Sequence, residues 1–126
     1  MGERRDHRAR VARGGEALAA LFLRLKGFKI EARNWRCPAG EIDIVAWERD
    51  TLVFVEVKTR TGGHAGTPEE AVTLAKQRRL VRLAEAYLAR RGESPPCRFD
   101  VVAVSGSAWR PSVRHLRAAF RADGLG

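Results

Sequence analysis

The stretch EIDIVAWERDTLVFVEVKT, residues 41–59, decides the fold of this chain. Two runs rich in Val, Ile, Leu and aromatic residues, Glu41 to Trp47 and Leu52 to Thr59, flank the short polar segment Glu48-Arg49-Asp50-Thr51. That pattern predicts two strands joined as an antiparallel hairpin. Side chains alternate faces along a strand, so Glu41, Asp43, Val45 and Trp47 share one face of the first. Leu52, Phe54, Glu56 and Lys58 share one face of the second, and Val53, Val55 and Val57 take the other. A loop of residues 48–51 sets Trp47 opposite Leu52, Val45 opposite Phe54, Asp43 opposite Glu56 and Glu41 opposite Lys58. A slip of one residue would send the two acids to opposite faces.

Working outward towards the N-terminus, Phe28, Ile30 and Ala32 alternate with Lys29, Glu31 and Arg33, which predicts a half-buried strand; Asn34 to Gly40 then reads as a loop. Before it, EALAALFLRLK has strong helix formers and ends at Gly27, giving a helix from Gly15 to about Lys26. That helix is apolar nearly all round, which predicts cover on several of its faces. Residues 1–12 read as a flexible basic arm, 13–120 as the folded domain and 121–126 as a tail. Towards the C-terminus, Arg60 to Pro68 is a Gly-rich loop. Thr67-Pro68-Glu69-Glu70 is a helix start, an N-cap followed by proline and first-turn acids, of a helix reaching Arg91. A strand over Arg98 to Val104 and a short segment around Val113 to Leu116 complete the order α-β-β-β-α-β-β. The fold class is α/β, a single domain with a central mixed sheet flanked by helices.

The 126 residues are 44% hydrophobic and 31% charged, enough apolar material for one domain core and too much for a wholly disordered chain. No apolar run approaches the length of a membrane-spanning helix, LVFVEV being strand-sized, and the N-terminus lacks a secretory signal pattern. A cytoplasmic location is expected, with no membrane partner. The net charge is +9, and all basic residues except Lys26, Lys29, Lys58 and Lys76 are arginines. The guanidinium fork suits phosphate, so nucleic acid heads the expected partners; an ordinary solvated basic surface is the alternative. Cys37 and Cys97 form no C-x-x-C pair and the three histidines are scattered, so no zinc site is indicated.

Directly opposed side chains on paired strands stand about 4.5–5.5 Å apart at Cβ, and two carboxylates placed so repel. A raised pKa on one acid or a bound divalent cation relieves that cost. Mg²⁺ favours one or two carboxylates with waters and phosphate oxygens, and Lys58 stands two residues beyond Glu56 on the same predicted face. An ordinary surface ion pair between Glu56 and Lys58 is the competing account, against which Leu52 and Phe54 on that face argue for burial. Glu16 heads a stripe with Ala19, Ala20 and Leu23 on the first helix; it is either a capping acid or a member of the site. On the second helix Lys76 lines up with the buried face of Leu80, Leu83, Ala84 and Tyr87 and either snorkels to solvent or points at the site, the second being expected. Arg78, Arg79 and Arg82 lie on the outer arc and Arg60 follows the third strand, all candidates for tracking a phosphate backbone.

The motifs G-E-I-D-I-V (Gly40 to Val45) and F-V-E-V-K-T-R (Phe54 to Arg60), with R-F-D-V-V (Arg98 to Val102), resemble the YraN-like family of uncharacterised bacterial proteins. That family is similar to the PD-(D/E)xK nuclease superfamily, near the archaeal Holliday-junction resolvases. The proline that superfamily nominally places before the Asp is absent, since Asp43 follows Ile42. The resemblance implies a restriction-endonuclease-like fold with Asp43 and Glu56 as ligands of Mg²⁺ or Mn²⁺, the Val57 carbonyl as a third, and Glu16 assisting. It implies that Lys58 orients or activates the attacking water, and by analogy with resolvases it suggests a homodimer. The expected function is metal-dependent hydrolysis of phosphodiester bonds in DNA, favoured over RNA, with branched or structured DNA among the candidate substrates. The alternative is a nucleic-acid-binding protein that keeps the fold without efficient catalysis.

Overall fold

The hairpin of residues 41–59 sits at the centre of a five-stranded sheet in the computed structural model, which describes residues 2–60, 72–106 and 109–122, with side chains from Arg13 onward. The order is α1 (Gly2–Leu25), β1 (Lys29–Cys37), β2 (Gly40–Glu48), β3 (Thr51–Thr59), α2 (Leu74–Arg91), β4 (Cys97–Gly106) and β5 (Pro111–Phe120). Strands follow chain order across the sheet; all neighbours are antiparallel except β3 and β4, which run parallel on either side of α2. The chain is a single α/β domain in the order α-β-β-β-α-β-β.

The register matches the sequence pattern at Trp47 opposite Leu52 and Val45 opposite Phe54. Pairing continues to Glu48 and Thr51, so the turn is Arg49-Asp50 alone, tighter than the four-residue loop expected, with Arg49 at φ +54°. One face of the sheet carries Val53 and Val55 against Ala19, Ala20 and Leu23 of α1. The other carries Leu52 and Phe54 against Leu80, Leu83 and Ala84 of α2.

Four boundaries differ from the sequence reading. The α1 backbone begins at Gly2, not Gly15, so residues 2–12, expected as a flexible arm, continue the helix; their many Arg and Ala residues are good helix formers. Among the described side chains of α1, Leu21 and Leu25 are exposed, so cover on several faces is not found there. The expected loop from Asn34 is strand as far as Cys37, because Trp35 and Cys37 pack into the α2-side cluster and draw the chain along the sheet. The helix of Lys76 starts at Leu74, with Thr73 as its N-cap accepting from the Lys76 amide at 3.3 Å. The Thr67-Pro68 start and the Gly-rich loop lie outside the described residues. The last segment is a full edge strand, ten residues from Pro111, paired along β4.

Strict alternation also fails twice along β1 and β2, first at the β-bulge between Ile30 and Ala32, which face opposite sides, and again nearer the open end of the hairpin. Ile44 packs on the α1 side but Ile42, two residues before it, packs on the α2 side. On the neighbouring strand Arg33 pairs with Ile44 and Trp35 with Ile42, and between them Asn34 takes a left-handed φ of +53°. Asparagine tolerates that conformation better than most side chains. The sheet changes face at Asn34 and Asp43.

Candidate functional site

The face change is where the acids gather. Gly15 lets α1 approach β3: a Cβ there would meet Thr59 Oγ1 at 2.1 Å, a separation no side chain tolerates. This close crossing sets Glu16 over the end of the hairpin. Glu16, Glu41 and Asp43 each offer a carboxylate oxygen, and these oxygens lie within 4.8 Å of one another. With its nitrogen facing the acids, as their lone pairs dictate, the Asn34 amide donates to Glu16 Oε2 at 2.6 Å and Glu41 Oε1 at 2.9 Å. Arg36 Nε stands 3.4 Å from Glu41 Oε2.

Asp43 is held in place by the backbone beside it. The β2–β3 register ends at Ile44 and Val55, and beyond it Asp43 Oδ2 accepts from the Val57 amide at 2.8 Å. Burial, and then repulsion from Glu56, Glu16 and Glu41, push the Asp43 carboxyl up to about 7 against the pull of that hydrogen bond. Glu16 is also raised, first by burial and then by Glu41, with Arg33 and Asn34 opposing. Crowded acids that resist ionising together form an oxygen-only donor set suited to a hard divalent cation.

The structure brings Asp43 and Glu16 together and adds Glu41, which the sequence reading had set opposite Lys58. Glu56 repels both Asp43 and Glu16 but stands outside that trio, its Oε1 3.2 Å from Lys58 Nζ. The Glu56–Lys58 pair is mostly out of water, with side chains 11% and 20% exposed, so it is not an ordinary surface pair. Val57, whose carbonyl is the expected ligand, also donates its N–H to Asp43. Lys76 reaches the site from α2, and the neighbouring Lys58 charge and its own partial burial hold its ammonium below the usual lysine range. Arg60 continues from β3 with its amide donating to the Val104 carbonyl at 2.8 Å. Arg78, Arg79 and Arg82 are exposed on α2, away from the carboxylates in sequence but on the helix that delivers Lys76. Glu41 and Asn34 were missed. The signal for Glu41 was its place two residues before Asp43 on one strand; Asn34 carried none, because it read as loop.

Comparison with known proteins agrees with the breadth of the motif match. Residues 15–104 match the model of the uncharacterised protein family UPF0102. A UPF0102 protein of Symbiobacterium thermophilum is 57% identical over 115 residues, covering 90% of this chain and 98% of that relative. A UPF0102 protein of Geobacter metallireducens is 45% identical over 115 residues, covering 90% of this chain and 94% of that relative. A UPF0102 protein of Nocardia farcinica is 52% identical over 108 residues, covering 84% of this chain and 85% of that relative. The matched span includes Glu16, Asn34, Glu41, Asp43, Glu56 and Lys58, so the whole candidate site falls within the shared region. On these matches the chain belongs to the UPF0102, or YraN-like, family.

Proposed function

We propose that the protein is a metal-dependent nuclease that hydrolyses phosphodiester bonds in DNA. The observation that carries this reading is the meeting of Glu16, Glu41 and Asp43, their oxygens within 4.8 Å, beside the Glu56–Lys58–Lys76 cluster. Asp43, Glu16 and Glu41, with Glu56 adjacent, would hold Mg²⁺ or Mn²⁺. Such an ion supplies charge neutralisation at phosphate and acidifies a water. Asn34 keeps the Glu16 and Glu41 oxygens oriented, and the Val57 amide does the same for Asp43. Lys58 and Lys76 offer adjacent ammonium groups at the carboxylate edge, where negative charge grows on a transferring phosphoryl group.

The surface supports a polyanionic substrate. The net charge is +9, and Arg78, Arg79 and Arg82 are exposed on the helix that delivers Lys76. Trp109, in the turn between β4 and β5, is 93% exposed. Because β4 runs parallel to β3 and extends past the partner of Thr59, that turn lies beyond the same end of the sheet as Lys58. An exposed indole next to Arg110 in sequence can stack on an unpaired base. Among the described residues no helix is long and apolar enough to cross a membrane. A cytoplasmic setting agrees with the free thiols of Cys37 and Cys97.

A second reading, a binding protein without efficient catalysis, is favoured by one contact: Glu56 is already tied to Lys58, which withholds both from other partners. A cleavage assay on linear, single-stranded and four-way-junction DNA with Mg²⁺, Mn²⁺ or EDTA separates the two. The nuclease reading expects metal-dependent cutting that Asp43→Asn abolishes. It expects Lys58→Ala to lower the rate while leaving Mg²⁺ binding by calorimetry largely intact. DNA binding without cutting under either metal leaves the binding protein.

A further inference from the structure

A second cluster of titratable groups lies at the other end of α1 and shares no residue with the carboxylate site. Asp100 on β4 is fully buried, the only charged residue so placed among those described. Its carboxylate accepts from Arg98 Nε at 2.8 Å, Arg98 Nη2 at 2.9 Å and the Ala118 amide at 3.0 Å. His115 Nε2 stands 2.8 Å from Asp100 Oδ2, and Lys26 Nζ stands 2.7 Å from His115 Nδ1. The imidazole is 2% exposed, wedged edge-on between Phe22 and Phe28, whereas Lys26 is open to solvent.

The chemistry of the three groups assigns the protons. A charged lysine only donates, so Nδ1 accepts and Nε2 carries the hydrogen that Asp100 receives. The result is carboxylate, imidazole and amine in hydrogen-bonded sequence, a base oriented by an acid and in reach of a nucleophile. We propose that Lys26 is an acyl-acceptor site, its ε-amine taking acyl groups from acyl phosphates or acyl thioesters in preference to the other lysines. In the reactive form Lys26 is neutral, keeps one N–H on Nδ1 and turns its lone pair to solvent. The amine attacks the acyl carbon, the N–C bond forms, and the bond from carbon to phosphate oxygen or sulfur breaks. The proton lost by nitrogen passes to Nδ1, Asp100 steadies the imidazolium, and the phosphate or thiolate leaves with the electron pair.

The surroundings favour that form. Partial burial lowers the Lys26 pKa, and Arg117 and Arg98 lower it further, against the opposite pull of Glu48 and Asp100. Glu48 is itself occupied, accepting from Arg117 and lying 2.9 Å from Arg98 Nη2. The Phe22 ring, 5.0 Å from Nζ, fixes the approach of the side chain.

The chain has three other lysines, and exposed Lys29, three residues along the sequence, is an internal reference. The full-length protein is treated with limiting acetyl phosphate, and separately with an acetyl thioester of N-acetylcysteamine, and acetylation is read site by site by mass spectrometry. Native protein should show Lys26 modified about a hundredfold or more faster than Lys29, the lower end of general-base assistance. In urea the ratio should fall to about one, and folded His115→Gln should give the same low ratio. Selectivity with only one donor identifies that donor class as the source. A native ratio near one with both donors, a ratio that persists in urea, or one retained by folded His115→Gln overturns the proposal. Should His115→Gln fail to fold, the native and urea comparison decides.

Discussion

Asp43 and Asp100 are both aspartates taken largely out of water, and their neighbours move their proton affinities in opposite directions. Asp43 sits among carboxylates and is pushed up to about 7; Asp100 would be raised by burial, but His115, Arg98 and the Ala118 amide more than reverse this and hold it at about 2. Each placement has a measurable consequence. Removing the Asp43 charge relieves repulsion, so Asp43→Asn should stabilise the metal-free protein in EDTA at pH 8. The expected gain is about 1–2 kcal/mol after allowance for screening at a partly open site. Added Mg²⁺ should raise the thermal midpoint of the wild type and not of the variant. For Asp100 the folded pKa lies below the unfolded one, so its contribution is present above pH 4 and is lost as pH falls towards 2. That contribution is about 2 kcal/mol. Urea midpoints between pH 5 and pH 2 should therefore fall less steeply in Asp100→Asn, whose overall cost at pH 7 is about 3–5 kcal/mol because Arg98 and His115 lose their partner.

At the scale of elements, the site depends on how closely α1 crosses β3. Gly15 permits that approach and Glu16 rides on it, so Gly15→Ala should lift the helix. The expected loss is about 1–3 kcal/mol by overpacking, together with weaker Mg²⁺ binding by calorimetry. Thr59→Ala removes the hydroxyl nearest the added methyl and should restore part of both. The α2 helix answers differently. Thr73 caps its start, and Gly92, at φ +77° with its amide 2.9 Å from the Leu88 carbonyl, ends it. Thr73→Ala should cost about 1 kcal/mol in thermal or urea unfolding and leave Mg²⁺ affinity close to wild type, because α2 contributes one lysine, Lys76, to the site and no carboxylate. Equal losses of metal affinity in Gly15→Ala and Thr73→Ala would show that the effect of Gly15 is general destabilisation.

Over the whole molecule, the two helices sit on opposite faces of one sheet, α1 bringing an acid and α2 bringing cations to the same end. With +9 net charge, DNA binding in EDTA should weaken linearly in log–log plots against salt. Each of Arg78→Ala, Arg79→Ala and Arg82→Ala should reduce the slope by about 0.9 if it contacts one duplex phosphate. Trp109→Ala should leave that slope unchanged and weaken binding to single-stranded more than duplex DNA, because stacking carries no counterion release. Fluorescence anisotropy at several salt concentrations reads both. A salt-independent affinity would remove the phosphate-tracking surface from the account.

The hairpin register from Trp47 opposite Leu52 to Val45 opposite Phe54, the faces of Leu52, Phe54, Val53 and Val55, and the order of helices and strands were determined by sequence alone, because period-two alternation and short polar turns are local properties. The expected continuation to Asp43 opposite Glu56 and Glu41 opposite Lys58 was not, since the pairing ends at Ile44 and Val55. Asp43, Glu16 and Lys58 were likewise legible as candidate site residues, by strand position and helix stripe. Tertiary structure decided how they meet. The face change at Asn34 and Asp43 breaks the alternation that the sequence rule assumes, and it brings Glu41 and Asn34 to the acids. Asn34 gives no local sign of this, since its left-handed backbone is set by pairing with β2 and its amide by two carboxylates from other elements. The Lys26–His115–Asp100 chain is equally silent in sequence: its members are far apart along the polypeptide and join only when α1 ends over β4 and β5. Local periodicity fixes which side of a strand a residue takes; only packing of distant elements fixes which charges share a low-dielectric space, and the pKa values follow from that.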